Sequence, residues 1–489
     1  MPPPLSDLSR RKFIGACCAA VTATGMLSTL AQLRLIGAVA QADALPAGSG
    51  TLTGRAIPAD FKALVCLFLA GGNDSNNVII PNDSAGYAAY AKNRDILALP
   101  QSALLGITPK TTDGRAWALH PSFAAEVSSD TAGGLKALFD AGHLALLANA
   151  GTLCYPTSLS QYTAQSVPLP RQLYSHSDQQ VEWQSSVPDQ AFATGWGGRL
   201  ADLTNAFNQN NTISMSISLN GQNSFQVGQN IVQYAVSPTG AIALSGAGTG
   251  TTSANGVRTA ALNDILQTPD RSLFDTAFAG LTSQAISDSA LLSGLIGGAA
   301  PFQTAFPNTS LGQQLRIIAR LIAVSSQLGL KRQVFFARVG GFDLHSAQVN
   351  LANPATGAHA ALLADVSRSL KAFYDTTVEL GVAQQVTTFT ASDFGRTYNT
   401  NGAGSDHGWG SHHLILGGAV NGGDLYGRMP DLTIGGPQDT GRGRWIPTTS
   451  VDEYSARLAL WFGVSPTNLP VVLPNLGRFN YTRPELAFL

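Results

Sequence analysis

An α/β fold, with a mostly parallel central sheet covered by helices on both faces, is what the sequence predicts, on three observations. Short continuous apolar runs recur along the chain, the pattern of strands buried on both sides. Between them lie longer segments with apolar residues at helical spacing. Each run breaks off into polar, glycine-rich loops, as at Ala70-Gly71-Gly72-Asn73-Asp74.

Taken in order, residues 1–40 read as a twin-arginine export signal. Arg10 and Arg11 precede an apolar stretch from about Phe13 to Leu33, and Ala38-Val39-Ala40 offers a small-residue exit. Gly15, Gly25 and several Ser and Thr residues make that stretch a poor spanning helix, so removal after Ala40 is expected, leaving a periplasmic or extracellular protein. Removal deletes Arg10, Arg11, Lys12 and Arg34 against Asp7, taking the formal charge from −1 to about −4. Such a balance gives no electrostatic footprint for nucleic acid or anionic lipid. No later stretch is long and apolar enough to remain as a membrane span. Of four cysteines, Cys17 and Cys18 leave with the signal; one bridge between Cys66 and Cys154 is open, but a buried Cys66 fits its apolar run better.

Residues 41–60 read as a linker and 61–489 as a single α/β domain. Strands are predicted at Leu64 to Leu69, His143 to Asn149, Val334 to Ala337, Val386 to Thr390 and Leu414 to Leu416, and helices at Leu135 to Phe139, Leu311 to Gln327, His359 to Leu380 and Val451 to Phe462. The stretch of about 205–255, rich in Gly, Ser, Thr and Asn with alternating Ile and Val, reads as an insertion of short antiparallel strands and loops.

Polar residues gather where strands end: Asp74 after the first, Asp343 and His345 after the third, Asp393 after the fourth, and Asp406, His407, His412 and His413 around the start of the fifth. Strand ends of an open parallel sheet share one edge, outside which ligands bind. Carboxylates and neutral imidazoles gathered there are the ligand set of Zn²⁺ or Mn²⁺, and two such ions can clamp an ester displacement. The alternative is structural: each Asp caps a helix or orders a turn, and each His satisfies a loop carbonyl.

Six ordered motifs carry a resemblance. Gly71-Gly72-Asn73-Asp74 with Asn77 and Pro81, Leu119-His120-Pro121, Ser175-His176, Gly341-Phe342-Asp343-Leu344-His345, Ser392-Asp393-Phe394-Gly395-Arg396-Thr397 and Asp406-His407-Gly408-Trp409-Gly410 resemble the exported domain-of-unknown-function 1501 family, from about Leu64 to Leu476. That family is in turn similar in layout to the alkaline phosphatase and sulfatase superfamily. The resemblance implies a metal-dependent hydrolase of a small anionic phosphate or sulfate ester, holding one or two ions through Asp74, Asp343, His345, Asp393 and His407 or His412. It implies Ser175 as nucleophile and Arg396 as a bidentate grip on a substrate oxygen, with Asn77 and His176 as further polar contacts. Two departures bear on the number of ions: Phe394 stands where the superfamily has His, and one residue alone separates Asp343 from His345. The rival is a non-catalytic binding protein with the same fold. Family association implies an exported partner from the domain-of-unknown-function 1800 family and a part in envelope assembly.

Overall fold

The computed structural model describes residues 56–124, 134–209, 213–241, 246, 248, 252–268 and 272–489. The export signal at 1–40 and most of the linker at 41–60 lie outside the described residues.

The chain runs through β1 (Lys62–Leu69), β2 (Ile79–Pro81), α1 (Ser84–Arg94), β3 (Leu105–Ile107), β4 (Trp117–Leu119), α2 (Gly134–Asp140) and β5 (Leu144–Gly151). Then come α3 (Leu159–Ala164), α4 (His176–Ser185), α5 (Trp196–Thr204), β6 (Ser216–Ser218), β7 (Tyr234–Ala235), α6 (Ala254–Leu266) and α7 (Leu273–Gly298). The last part holds α8 (Ser310–Ala323), β8 (Arg332–Val339), α9 (Ala358–Glu379), β9 (Val386–Ser392), β10 (Ser411–Gly417), β11 (Asp424–Gly427), β12 (Thr449–Ser450), α10 (Val451–Phe462) and α11 (Leu469–Val472).

Among the described residues, nine strands form one sheet in the order β11-β5-β10-β9-β1-β8-β6-β7, with β12 also on β5. Every pairing in it is parallel except those of β10, which runs antiparallel to both β5 and β9. β1 lies at the centre between β8 and β9, and Ala63 to Leu69 are all buried, which is why that stretch reads as an unbroken apolar run. One helical layer comprises α2, α8 and α9; the other comprises α4, α5, α10 and α11. α8 shows how the sequence makes such a layer: Leu311, Leu315, Ile318 and Ile322 recur at helical spacing and are buried, while Thr309 Oγ1 caps the start by accepting from Gly312 N at 3.0 Å.

Two expectations change. The strands within 205–255 are not antiparallel: β6 pairs parallel with β8 and β7 parallel with β6, so they extend the main sheet. A second, three-stranded antiparallel sheet, β2-β4-β3, follows the first loop and has no counterpart in the sequence reading. Cys66 and Cys154 are both free and buried, and burial pushes both thiols up, Cys154 to about 12. The chain divides into two units, one of residues 52–242 and 291–489, which contains both sheets, and one whose described part lies within 243–290 and is helical. Among the described residues, no helix is long and apolar enough to cross a membrane.

The reversal of β10 decides where the loops meet. β1, β8 and β9 leave the sheet at their carboxyl ends on one edge, and the antiparallel β10 enters the sheet from that same edge. Gly71 then sets the spacing of the first two loops. Its φ is +115°, and a Cβ there would stand 2.4 Å from the backbone nitrogen of Asp343. Gly71→Ala is therefore expected to destabilise the fold by about 2 kcal/mol or more, read as a lowered urea midpoint with an unchanged slope.

Candidate functional site

Three loops and the start of α4 converge at this edge. Asp343 Oδ1 lies 3.0 Å from His345 Nε2 and 3.3 Å from His407 Nε2, and the two Nε2 atoms are 2.9 Å apart. His176, the first residue of α4, brings its Nε2 to 3.4 Å from the other oxygen, Oδ2. Ligand atoms of His176, Asp343 and His407 all fall within 4.8 Å of one another. The side chain of Asp343 is 44% exposed, so the centre opens to solvent.

The outward nitrogens fix what faces inward. His176 Nδ1 pairs with Asp393 Oδ2 at 2.6 Å, His345 Nδ1 with Asp406 Oδ1 at 3.0 Å, and His407 Nδ1 with the Tyr174 carbonyl at 2.6 Å. Carbonyl and carboxylate oxygens only accept, so each Nδ1 is the donor, and in the neutral ring each Nε2 is left as a lone pair. The centre is thus lined by acceptors: a carboxylate and three imidazole lone pairs. At 2.9 Å the lone pairs of His345 and His407 repel unless a proton or a metal ion lies with them. His176 Nε2 is buried with no hydrogen-bond partner. Imidazoles whose far nitrogen is tied to an oxygen are the usual form of metal-binding histidines.

Charges tune these groups. Burial pushes the Asp343 carboxyl up, but Arg396, His176 and His345 outweigh it and hold it below the ordinary value. The bond to Asp393 raises His176 against the opposing effect of burial. Burial lowers His407 despite its bond to the Tyr174 carbonyl, favouring the neutral ring that binds a metal. Asp406 stays ionised, its carboxyl at about 2, because the pull of Asn401, His345 and Arg442 exceeds the rise from burial. Phe394 walls the centre, its ring centroid 4.8 Å from that of His176 and 4.7 Å from that of His407.

Of the residues singled out in the sequence, the structure brings Asp343, His345, His407 and His176 together. The others it places elsewhere. Asp74, expected as a ligand, is buried in an ion pair with Arg94 and accepts from Gln348 Nε2; burial raises its carboxyl, yet Arg94, His359 and these bonds keep it below the ordinary value. Asp393, also expected as a ligand, has Oδ1 taken by Gly71 N at 3.0 Å and Oδ2 by His176 and by Gln180 Nε2 at 2.8 Å, so it positions an imidazole. Ser175 stands at the N-cap position of α4 without a capping bond and donates its hydroxyl to Asp178 at 2.6 Å, not to any of these imidazoles. Arg396 has its guanidinium spent on protein: Asp343 Oδ1 at 2.7 Å, Gly71 O at 3.3 Å and both the carbonyl and hydroxyl of Ser405, which leaves no free fork for a substrate. Asn77 is fully buried, donating to Leu97 O and accepting from Tyr90 and Arg94. His412 is buried in β10, where its Nδ1 accepts from Asn149 N at 2.9 Å and burial lowers it to about 4.

Sequence reasoning missed Arg94, Gln180, Arg442 and the Tyr174 carbonyl. Gln180 alone had a signal, standing four residues after His176 on the same helix face. Tyr174 has φ 74°, a left-handed backbone that nothing in its residue type announces.

Fold and site together define an α/β protein with a candidate His/Asp metal centre at the carboxyl edge of its sheet. Residues 317–438 match the family described as "Protein of unknown function (DUF1501)", which bears out the motif resemblance over that stretch. No curated protein matches. Two solved structures share a low similarity. Ps i-CgsB in complex with k-i-k-neocarrahexaose is 10% identical, with a TM-score of 0.33 over 84% of this chain and 74% of that one. The PsFucS1 sulfatase from Pseudoalteromonas sp. is 12% identical, with a TM-score of 0.32 over 84% and 69%.

Two tests follow from the surroundings. Arg94→Met leaves the Asp74 carboxylate buried and unpaired and is expected to cost about 3–5 kcal/mol, part of which Asp74→Asn should restore in the double variant. On α4, burial raises Glu182 to about 8. The folded chain then keeps a proton that the unfolded chain releases above about pH 4.3. Stability from this group is present below that pH and is lost as pH rises through 8. Glu182→Gln should flatten the fall in thermal midpoint between pH 5 and 9. Each tenfold difference in proton affinity between the folded and unfolded chain is worth about 1.4 kcal/mol of that fall.

Proposed function

We propose that this chain is an exported hydrolase of phosphate or sulfate esters that works with one divalent metal ion. The observation that carries the reading is the set of inward-facing acceptors: Asp343 Oδ1 and the Nε2 atoms of His345 and His407 form a triangle with edges of 2.9 to 3.3 Å. A cation bound on one side of such a triangle relieves the repulsion between the two lone pairs. Two imidazoles and one carboxylate suit Zn²⁺ better than Mn²⁺. A second ion is not part of the proposal, because Asp74 is already neutralised by Arg94 and Asp393 is engaged with His176.

When bound, the ion supplies Lewis acidity toward an ester oxygen. The chain's own residues do the rest. Asp393, Asp406 and the Tyr174 carbonyl hold the three imidazoles in one tautomer and orientation. Phe394 excludes water from one side of two of them. Charge favours an anionic ester: Asp343, Asp393 and Asp406 against Arg396 and Arg442 leave one negative charge, which a divalent ion turns into one positive charge.

The rival, a non-catalytic protein of envelope assembly, has one feature in its favour. If His176 joined the other three as a ligand, the coordination sphere would be closed, as in structural sites. Metal content tests the reading. The purified protein is expected to carry about one transition ion, to lose thermal stability in chelator and to regain it on readdition. That effect reaches about 4 kcal/mol at a thousandfold excess over Kd. Asp343→Ala and His407→Ala should lose both the ion and the hydrolysis of aryl phosphate or aryl sulfate. A metal-free protein indifferent to chelator would sink the proposal.

A further inference from the structure

We infer that His176 is not a fourth metal ligand but the nucleophile, taking the phosphoryl group of a phosphate monoester onto its Nε2. The inference rests on the single-ion reading above and deepens it. Asp343, His345 and His407 already supply three ligand atoms at mutual distances of 2.9 to 3.3 Å, and a catalytic centre keeps a coordination position open for substrate. Four protein ligands would leave none. The His176 ring lies 4.4 Å from that of His407, but its Nε2 faces Asp343 Oδ2 at 3.4 Å, not the Oδ1 that completes the triangle.

Its surroundings are those of an activated imidazole. Nδ1–H is held at 2.6 Å by Asp393, whose side chain is fully buried, and Asp393 is itself fixed by Gly71 N and Gln180 Nε2. Nε2 has no hydrogen-bond partner in the protein, so no donor occupies its lone pair. His176 opens the ten-residue helix α4, whose N-terminal dipole favours negative charge on that side. A buried carboxylate behind one ring nitrogen and an unpartnered lone pair on the other is the arrangement that nucleophilic catalysis requires.

The step balances as follows. The Nε2 lone pair attacks phosphorus and an N–P bond forms. The P–O bond to the alcohol breaks with its electron pair, and the departing alkoxide takes a proton from solvent. Asp393 stabilises the positive charge on the phosphorylated ring. Water then attacks phosphorus, the N–P electron pair returns to Nε2, inorganic phosphate leaves, and the water proton passes to solvent.

The test is to quench the metal-loaded wild-type protein in alkali during turnover of an aryl phosphate and to map its peptides by mass. One phosphoryl group is expected on His176, stable in alkali and lost in acid. His176→Asn should keep about one ion per chain, give no adduct and lose turnover by at least about 10³-fold. An adduct on Ser175, or wild-type turnover with no adduct, overturns the inference and leaves the hydrolase reading standing. Loss of the ion in His176→Asn also overturns it, making His176 a ligand. Absence of any ester hydrolysis by the metal-loaded wild type overturns both.

Discussion

The structure at the carboxyl edge depends on how the charge of Asp343 is shared. Its carboxylate lies within 3.4 Å of three imidazoles and 2.7 Å from Arg396, whose remaining donors tie together the first loop and the loop before β10. Removing that carboxylate would leave a buried guanidinium short of an acceptor and three rings without a common partner. The other acidic groups are subordinate. Asp393 and Asp406 each stand behind one ring, and Asp74 belongs to a separate buried network with Arg94, Gln348 and His359.

This division of labour explains why four aspartates in three similar loops have different roles. Each follows or precedes a strand at the same edge, so each reads alike in sequence. Their depth differs. The Asp74 and Asp393 side chains are almost wholly buried and are saturated by local donors, whereas that of Asp343 is 44% exposed and faces lone pairs. Burial with donors makes a carboxylate structural; partial exposure beside acceptors makes it available to a cation.

Much of the fold was legible because the central strands are buried on both faces and carry few polar residues: β1, β5, β8 and β9 all fall where apolar runs predicted them. What sequence could not give was strand direction. The expectation that His407 meets Asp343 rested on a parallel run of these strands, in which the loop before the fifth strand would lie at the opposite edge. It meets Asp343 because β10 is reversed. The centre was readable in part for the same kind of reason. Histidines at strand ends are visible, but the partners that decide their roles, Arg94, Tyr174 and Arg442, come from a distant helix, a carbonyl and a late loop. The short strands β6 and β7 joined the main sheet in parallel because register with β8, not local composition, determined their pairing.

The scatter of the centre along the chain has a consequence for its birth. Gly71, Tyr174, His176, Asp343, Asp393, His407 and Arg442 must all be in place before the last imidazole is oriented and the acidic group behind His345 is pinned. A ribosome-bound fragment that ends with β9 holds His176, Asp343 and His345 but lacks Asp393, Asp406, His407 and Arg442, so it offers a passing ion no complete cage. Capture of a cofactor is therefore a late event, tied to closure of contacts hundreds of residues apart, and such non-local closure is slow.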